Sequence, residues 1–209
     1  MNPQRRPRIV APRFTPLWGV LIGAVGGGVY WISAQLWPTS IAVILSMLAT
    51  NLLSARGDLD PDAAAAAVST APTADRELLG MVFAVLVKYN ALMALSAASL
   101  PFALPANLAL GWIMIAGQAA SRALLVSVSA SPASHADLGV ALVLGFAPAA
   151  LIGIPGLIGL AGAIAARFAV VAYLRRRGRT TCAGRELKMM QQATEVCFYL
   201  GALAAWAFI

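Results

Sequence analysis

The sequence predicts an all-α integral membrane protein, a bundle of about seven transmembrane helices, and three observations carry that expectation. Of its 209 residues 60% are hydrophobic and only 11% charged, and the mean hydropathy of +0.80 is outside the range of water-soluble globular domains. Several apolar runs are about 20 residues long, which at about 1.5 Å rise per residue crosses a hydrocarbon layer about 30 Å thick. Apart from Lys88, Arg122 and Arg167, the Lys and Arg residues fall in alternate segments between those runs, as the positive-inside rule requires. In lipid, helices rather than open strands satisfy the backbone at this hydropathy and segment length.

Taken in order, the helices are expected at 16–36, 38–54, 78–99, 105–128, 137–152, 154–174 and 190–209, within one polytopic domain over 1–209. Residues 1–15, "MNPQRRPRIVAPRFT", carry four Arg but no short apolar segment ending in a small-residue cleavage site, so the first helix is expected to be retained. Pro and Gly reverse the chain at "LWPTS" (36–40), "LPFALP" (100–105) and "GIPG" (153–156). With the basic N-terminus inside, the inner loops are 55–77, 129–136 and the basic 175–189, and the outer loops carry no charge. Cys182 and Cys197 are expected to be free thiols.

Four ionisable residues fall inside the expected helices: Lys88, Arg122, Arg167 and Glu195. Each costs about 2.5–3.5 kcal/mol on insertion scales, so each is a functional candidate. Arg167 and Glu195 are expected within about two turns of the cytosolic helix ends, where a long side chain snorkels. Lys88 is expected in mid-segment. The lone His135, in "ASPASHAD", reads as a solvated loop residue.

Asp58, Asp60 and Asp62 gather three of the eight acidic residues within five positions of "LLSARGDLDPDAAAAAVSTAPTAD". The spacing opens like a calcium loop, but Ala63 and Ser69 occupy the positions that need Gly and Glu. Two readings stay open on spacing alone: a solvated acidic tether, and a hard-cation site where carboxylates hold Mg²⁺ against a phosphate substrate.

"FTPLWGVLIGAVGGGVYWISAQLWPTSIAVILSMLAT" resembles the first two helices of the cobalamin synthase family, the integral membrane adenosylcobinamide-GDP ribazoletransferases. "LVKYNALMAL", "AGQAASRALLVS" and "RRRGRTTCAGRELKMMQQATEVCFYLGALAAW" are similar to its middle and C-terminal helices, in the same order. The family's acidic loop reads approximately His-x-Asp-Gly-x-Ala-Asp; here Asp58 stands for the His, Asp60 matches the first Asp, Pro61 replaces the Gly and Ala64 the second Asp. In the family's Thr-Gly-Asp-x-Leu-Gly, Gly184 and Leu187 match and Arg185 takes the Asp position, while Gln191, Gln192 and Glu195 match further on.

The resemblance implies an enzyme of late cobalamin assembly that joins adenosylcobinamide-GDP to α-ribazole or its 5′-phosphate and releases GMP. It implies Mg²⁺ held by Asp60 with Asp58 and Asp62, and Glu195 at the cytosolic end of the last helix as a further ligand or a base. Gln191, Gln192, Arg122, Arg185 and Lys88 are the expected substrate-binding residues. The expected setting is the bacterial cytoplasmic (inner) membrane with a cytosolic active face, lipid but no nucleic acid as partner, and homo-oligomerisation left open. The alternatives are a catalytically altered or inactive relative, since Arg185 adds positive charge where the family has a carboxylate, and a small transporter, suggested by Lys88 and the Pro- and Gly-rich "FAPAALIGIPGLIG".

Overall fold

The computed structural model describes residues 12–57, 74–97, 106–128, 134–176 and 184–208. Among the described residues, a 3-10 turn at Pro12–Phe14 precedes seven α-helices: α1 Thr15–Leu36, α2 Thr39–Gly57, α3 Ala74–Ala97, α4 Ala106–Val126, α5 His135–Leu151, α6 Ile154–Arg176 and α7 Gly184–Trp206. Three of them contain stretches long and apolar enough to cross a membrane, Thr15–Leu36, Leu108–Val126 and Ile154–Arg176; the apolar stretches of α2, α3 and α5 are shorter. The chain is a helical membrane protein.

Two boundaries depart from expectation by several residues. α3 begins at Ala74 rather than 78, and α7 at Gly184 rather than 190. Hydropathy registers the part of a helix that lies in hydrocarbon, whereas the hydrogen-bonded spiral continues through the polar opening "GRELKMMQQ" of α7. The consequence is a correction: Glu195 is the twelfth residue of a 23-residue helix, three turns in from its start and not at its end.

Local chemistry explains the tight connections. The Trp37 N–H closes α1 on the Ser33 carbonyl at 2.8 Å, and the Pro38 carbonyl accepts from Ile41 and Ala42 at 3.0 and 3.1 Å to start α2. Between α5 and α6, Gly153 adopts φ 81°, a left-handed conformation that glycine takes without a Cβ penalty. Ser134 caps α5: its Oγ accepts from the Asp137 N–H at 3.1 Å and donates to Asp137 Oδ2 at 2.8 Å. His135 is therefore the exposed first residue of α5 rather than a loop residue. Pro148 lies within α5, which continues to Leu151.

α4 is the central helix, with 83% of its apolar span buried against 39% for α1 and 17% for α6. Lipid tails are as apolar as Leu, so close backbone approach takes over from the hydrophobic effect in joining helices here. On α1, Gly19, Gly23 and Gly27 recur every four residues and lie against Gln118, Ile115 and Gly111 of α4. A Cβ at Gly23 would come 2.5 Å from the Ile115 Cα. α6 and α7 are joined in the same way through Gly159, Gly162 and Gly201, which lie against the backbone of Phe198, Cys197 and Ile158.

These pairs also orient the helices. α1 runs antiparallel to α4, and α6 antiparallel to α7. Hydrogen bonds from Arg122 to Ser54 and from Arg167 to Ser127 tie the C-terminal halves of α2, α4 and α6 together. The C-terminal ends of α2, α4 and α6 and the N-terminal end of α7 therefore lie at one end of the bundle.

Candidate functional site

The interior of the bundle holds a polar cluster contributed by α3, α4 and α7. Glu195 Oε1 lies 2.6 Å from Lys88 Nζ, accepts from Gln118 Nε2 at 2.6 Å and accepts from the Tyr199 hydroxyl at 3.0 Å. Lys88, Gln118 and Glu195 are each 2% exposed and Tyr199 fully buried, so three donors converge on one oxygen away from solvent. Lys88 and Gln118 also sit in mid-helix, as the fifteenth of 24 residues in α3 and the thirteenth of 21 in α4. At about 1.5 Å per residue, Glu195 is about 16 Å along α7 from its start.

A buried charge is tolerated when paired and hydrogen-bonded, and breaking one side of such a pair costs about 3–5 kcal/mol. Glu195 meets both conditions through Lys88, Gln118 and Tyr199, while Lys88 is paired with the carboxylate but makes no directed hydrogen bond among the described residues. Lys88 Nζ also lies 6.0 Å from the centroid of the Tyr199 ring, within cation–π range. The ring itself lies on Gly117, where a Cβ would come 2.7 Å from Tyr199 Cε1, and Phe198 meets it edge-on at 82°. Gly117 is thus required by the ring that supplies a donor to Glu195.

One helical turn toward the common end of the bundle lies a second rung. Arg122 is four residues beyond Gln118 on α4, and Gln191 four before Glu195 on α7, so each shares a face with its partner in the cluster. Arg122, 3% exposed, donates from Nη2 to Ser54 Oγ at 3.0 Å in the last turns of α2. Gly19 leaves room for its stem, because a Cβ there would come 2.9 Å from Arg122 Cδ. Gln191 is buried, and among the described residues the buried Oε1 atoms of Gln192 and Gln118 have no hydrogen-bond partner. Buried unpaired amide oxygens are costly, and each remains an acceptor for a bound molecule.

The structure therefore brings together Lys88 and Glu195, with Arg122 and Gln191 a turn away. Gln191 and Gln192, expected at the helix end, are eighth and ninth in the 23-residue α7. Arg185 is its second residue, and its side chain is outside the described residues, as are Asp58, Asp60 and Asp62. Arg167 does not simply extend to the interface: its Nε donates to Ser127 Oγ at 2.9 Å and its guanidinium stands 5.0 Å from the Phe168 ring centroid. Gln118 and Tyr199 escaped the sequence reading. A Gln four residues before Arg122, and a Tyr four after Glu195, were the available signals.

Among the described residues no three His, Cys, Asp or Glu side chains come together as metal ligands. Glu195 Oε1, facing an ammonium and two further donors, does not fit a metal ion.

Comparison with known proteins places the chain among relatives that match nearly all of it. It is 32% identical over 226 aligned residues to an adenosylcobinamide-GDP ribazoletransferase of Leptothrix cholodnii, covering 92% of this chain and 84% of that protein. It is 31% identical over 228 residues to the enzyme of the same name from Ralstonia nicotianae, covering 94% of this chain and 84% of that protein. No protein-family profile and no solved structure matches.

Proposed function

The chain belongs to the adenosylcobinamide-GDP ribazoletransferase, or cobalamin synthase, family, and on that premise we propose that it carries out the reaction for which its relatives are named. A ribose hydroxyl oxygen of α-ribazole, or of its 5′-phosphate, attacks the phosphorus next to the cobinamide. A new P–O bond forms, the bond to GMP breaks, and the hydroxyl proton leaves to a base or to water. The products are adenosylcobalamin, or its 5′-phosphate, and GMP. Such a transfer needs neutralisation of pyrophosphate charge and in-line placement of two large substrates.

The observation that best supports this reading is the Arg122–Ser54 hydrogen bond. It fixes a buried guanidinium beside the last turns of α2, four residues before the chain reaches Asp58. α2 thus ends, one residue before Asp58, at the same end of the bundle as Arg122, the close of α6 at Arg176 and the opening turns of α7. Asp60, with Asp58 and Asp62, would hold Mg²⁺ there; when bound, the ion neutralises phosphate charge. Arg122 and Arg185 would contact phosphate through their planar forks, and Gln191 and Gln192 would supply neutral hydrogen bonds. Lys88 and Glu195 form the charged floor beneath them. The Lys and Arg of the sequence segments that adjoin this end support reading it as the cytosolic face, in the bacterial cytoplasmic membrane.

The test is GMP release from adenosylcobinamide-GDP by purified protein in nanodiscs, with and without α-ribazole and Mg²⁺. Release that requires both supports the reading. A folded protein that releases no GMP under any of these conditions rejects it.

A further inference from the structure

We propose that Lys88, Gln118, Glu195 and Tyr199 form a register lock that sets the depth and rotation of the α6–α7 hairpin against α3 and α4. Gln118 and Tyr199 are then positioning residues, acting through Glu195 on the groups one turn nearer the substrate end. What is positioned rests on the ribazoletransferase reading; the lock itself does not.

α6 and α7 meet backbone to backbone at Gly159, Gly162 and Gly201, so the pair is packed as one unit. Apolar side chains on its outer faces gain little by choosing protein over lipid, which leaves the seating of the unit weakly specified by apolar contact. The polar cluster supplies the specification. Glu195 Oε1 draws a donor from α3 and another from α4 in addition to Tyr199 of its own helix. A slip or rotation of α7 would strand a buried carboxylate and a buried ammonium together, and single buried polar groups are the best-attested devices for fixing helix register. An oxygen already taken by three donors is what a lock requires and what a metal ligand lacks.

The leverage follows from helical geometry. Gln191 and Gln192 lie four and three residues before Glu195, and α7 begins with Gly184 and Arg185. Any displacement of Glu195 carries them with it, and a misplacement of about 1 Å at a reacting centre can cost about a hundredfold in rate.

The experiment compares Tyr199→Phe, Lys88→Met, Glu195→Gln and the double variant Lys88→Met/Glu195→Gln with the parent in nanodiscs. Tyr199→Phe keeps the ring on Gly117 and beside Lys88 and removes one hydrogen bond. Two readouts are taken on folded protein: kcat and KM for GMP release, and an electron-spin distance between labels at Leu52→Cys and Lys188→Cys, with Cys182 and Cys197 changed to Ser. Both labelled positions are exposed, on α2 and α7. The parent should give one narrow distance. Tyr199→Phe and each charge variant should shift or broaden it and lower kcat about tenfold with little change in KM. The double variant leaves no unpaired charge and keeps an acceptor for Gln118 and Tyr199, so it should narrow the distance again and recover kcat at least about fivefold over either single variant. A folded double variant with a restored distance but no recovery would put Glu195 on the reacting atoms and overturn the positioning role. Unchanged distances in all variants would overturn the lock. Because the distance needs no turnover, a parent that releases no GMP rejects the proposed reaction and leaves the lock decided by the distances.

Discussion

Two alanine substitutions on one helix separate close helix packing from helix propensity. At Gly23 a Cβ would stand 2.5 Å from the Ile115 Cα, 2.9 Å from its N and 3.0 Å from the Met114 carbonyl oxygen, all backbone atoms of α4. Ordinary contact begins near 3.4 Å, so α1 and α4 must separate by about an ångström. Overpacking of this kind costs about 1–3 kcal/mol. Replacing Gly by Ala inside a helix returns about 0.8–1 kcal/mol. The net expectation for Gly23→Ala is a loss of up to about 2 kcal/mol. At Gly28, five residues further on, a Cβ meets nothing within 4 Å, so only the propensity gain applies. The propensity gain is common to both variants, so they should differ by the overpacking cost, about 1–3 kcal/mol, a gap on the order of 2 to 12 °C in Tm for a chain of this size. Thermal unfolding in one detergent, followed by tryptophan fluorescence and by recovery of monodisperse protein, measures it. A Gly23→Ala protein as stable as Gly28→Ala would refute the reasoning, because it would mean that α1 is not seated on the α4 backbone.

Other expectations concern the site. Asp60→Asn should leave the unfolding free energy within about 0.5 kcal/mol of the parent but lower GMP release by about two orders of magnitude; an active variant would make the acidic cluster a solvated tether. Arg185→Asp should lower the rate at least about tenfold by removing a phosphate contact, whereas a rise in rate or Mg²⁺ affinity would mean that this position lacks a carboxylate it needs. Arg122→Lys keeps the charge but loses the planar fork and the reach to Ser54, so KM for adenosylcobinamide-GDP should rise about tenfold or more; an unchanged KM removes Arg122 from the site. Reporter fusions after Pro101 and after Ile209 should both register on the outer side of the membrane, and cytosolic signals from both would reverse the site's placement.

The membrane class and the positions of seven helices were legible in the sequence because both rest on local properties. Hydrophobic run length and the Pro and Gly punctuation at Pro38 and Gly153 are read without knowing any partner. Ordered likeness along the chain also reached the family. Lys88 and Glu195 were legible as candidates, since an ionisable group in an apolar run is conspicuous wherever it points. Their pairing was not, because 107 positions separate them and only the packing of α3 against α7 closes that distance. The start of α7 was misjudged for the same reason that its apolar part was found: hydropathy follows the solvent, and the helix follows its backbone hydrogen bonds. Gln118 and Tyr199 are common residues in ordinary surroundings along the chain. Their importance comes from a carboxylate oxygen on another turn or another helix, and from Gly117, whose missing side chain admits the Tyr199 ring. Composition determined that the chain lies in lipid and how often it turns. Tertiary structure decided which buried charge meets which, because in a bilayer the register between helices is set by the few places where backbones touch and polar atoms must find partners.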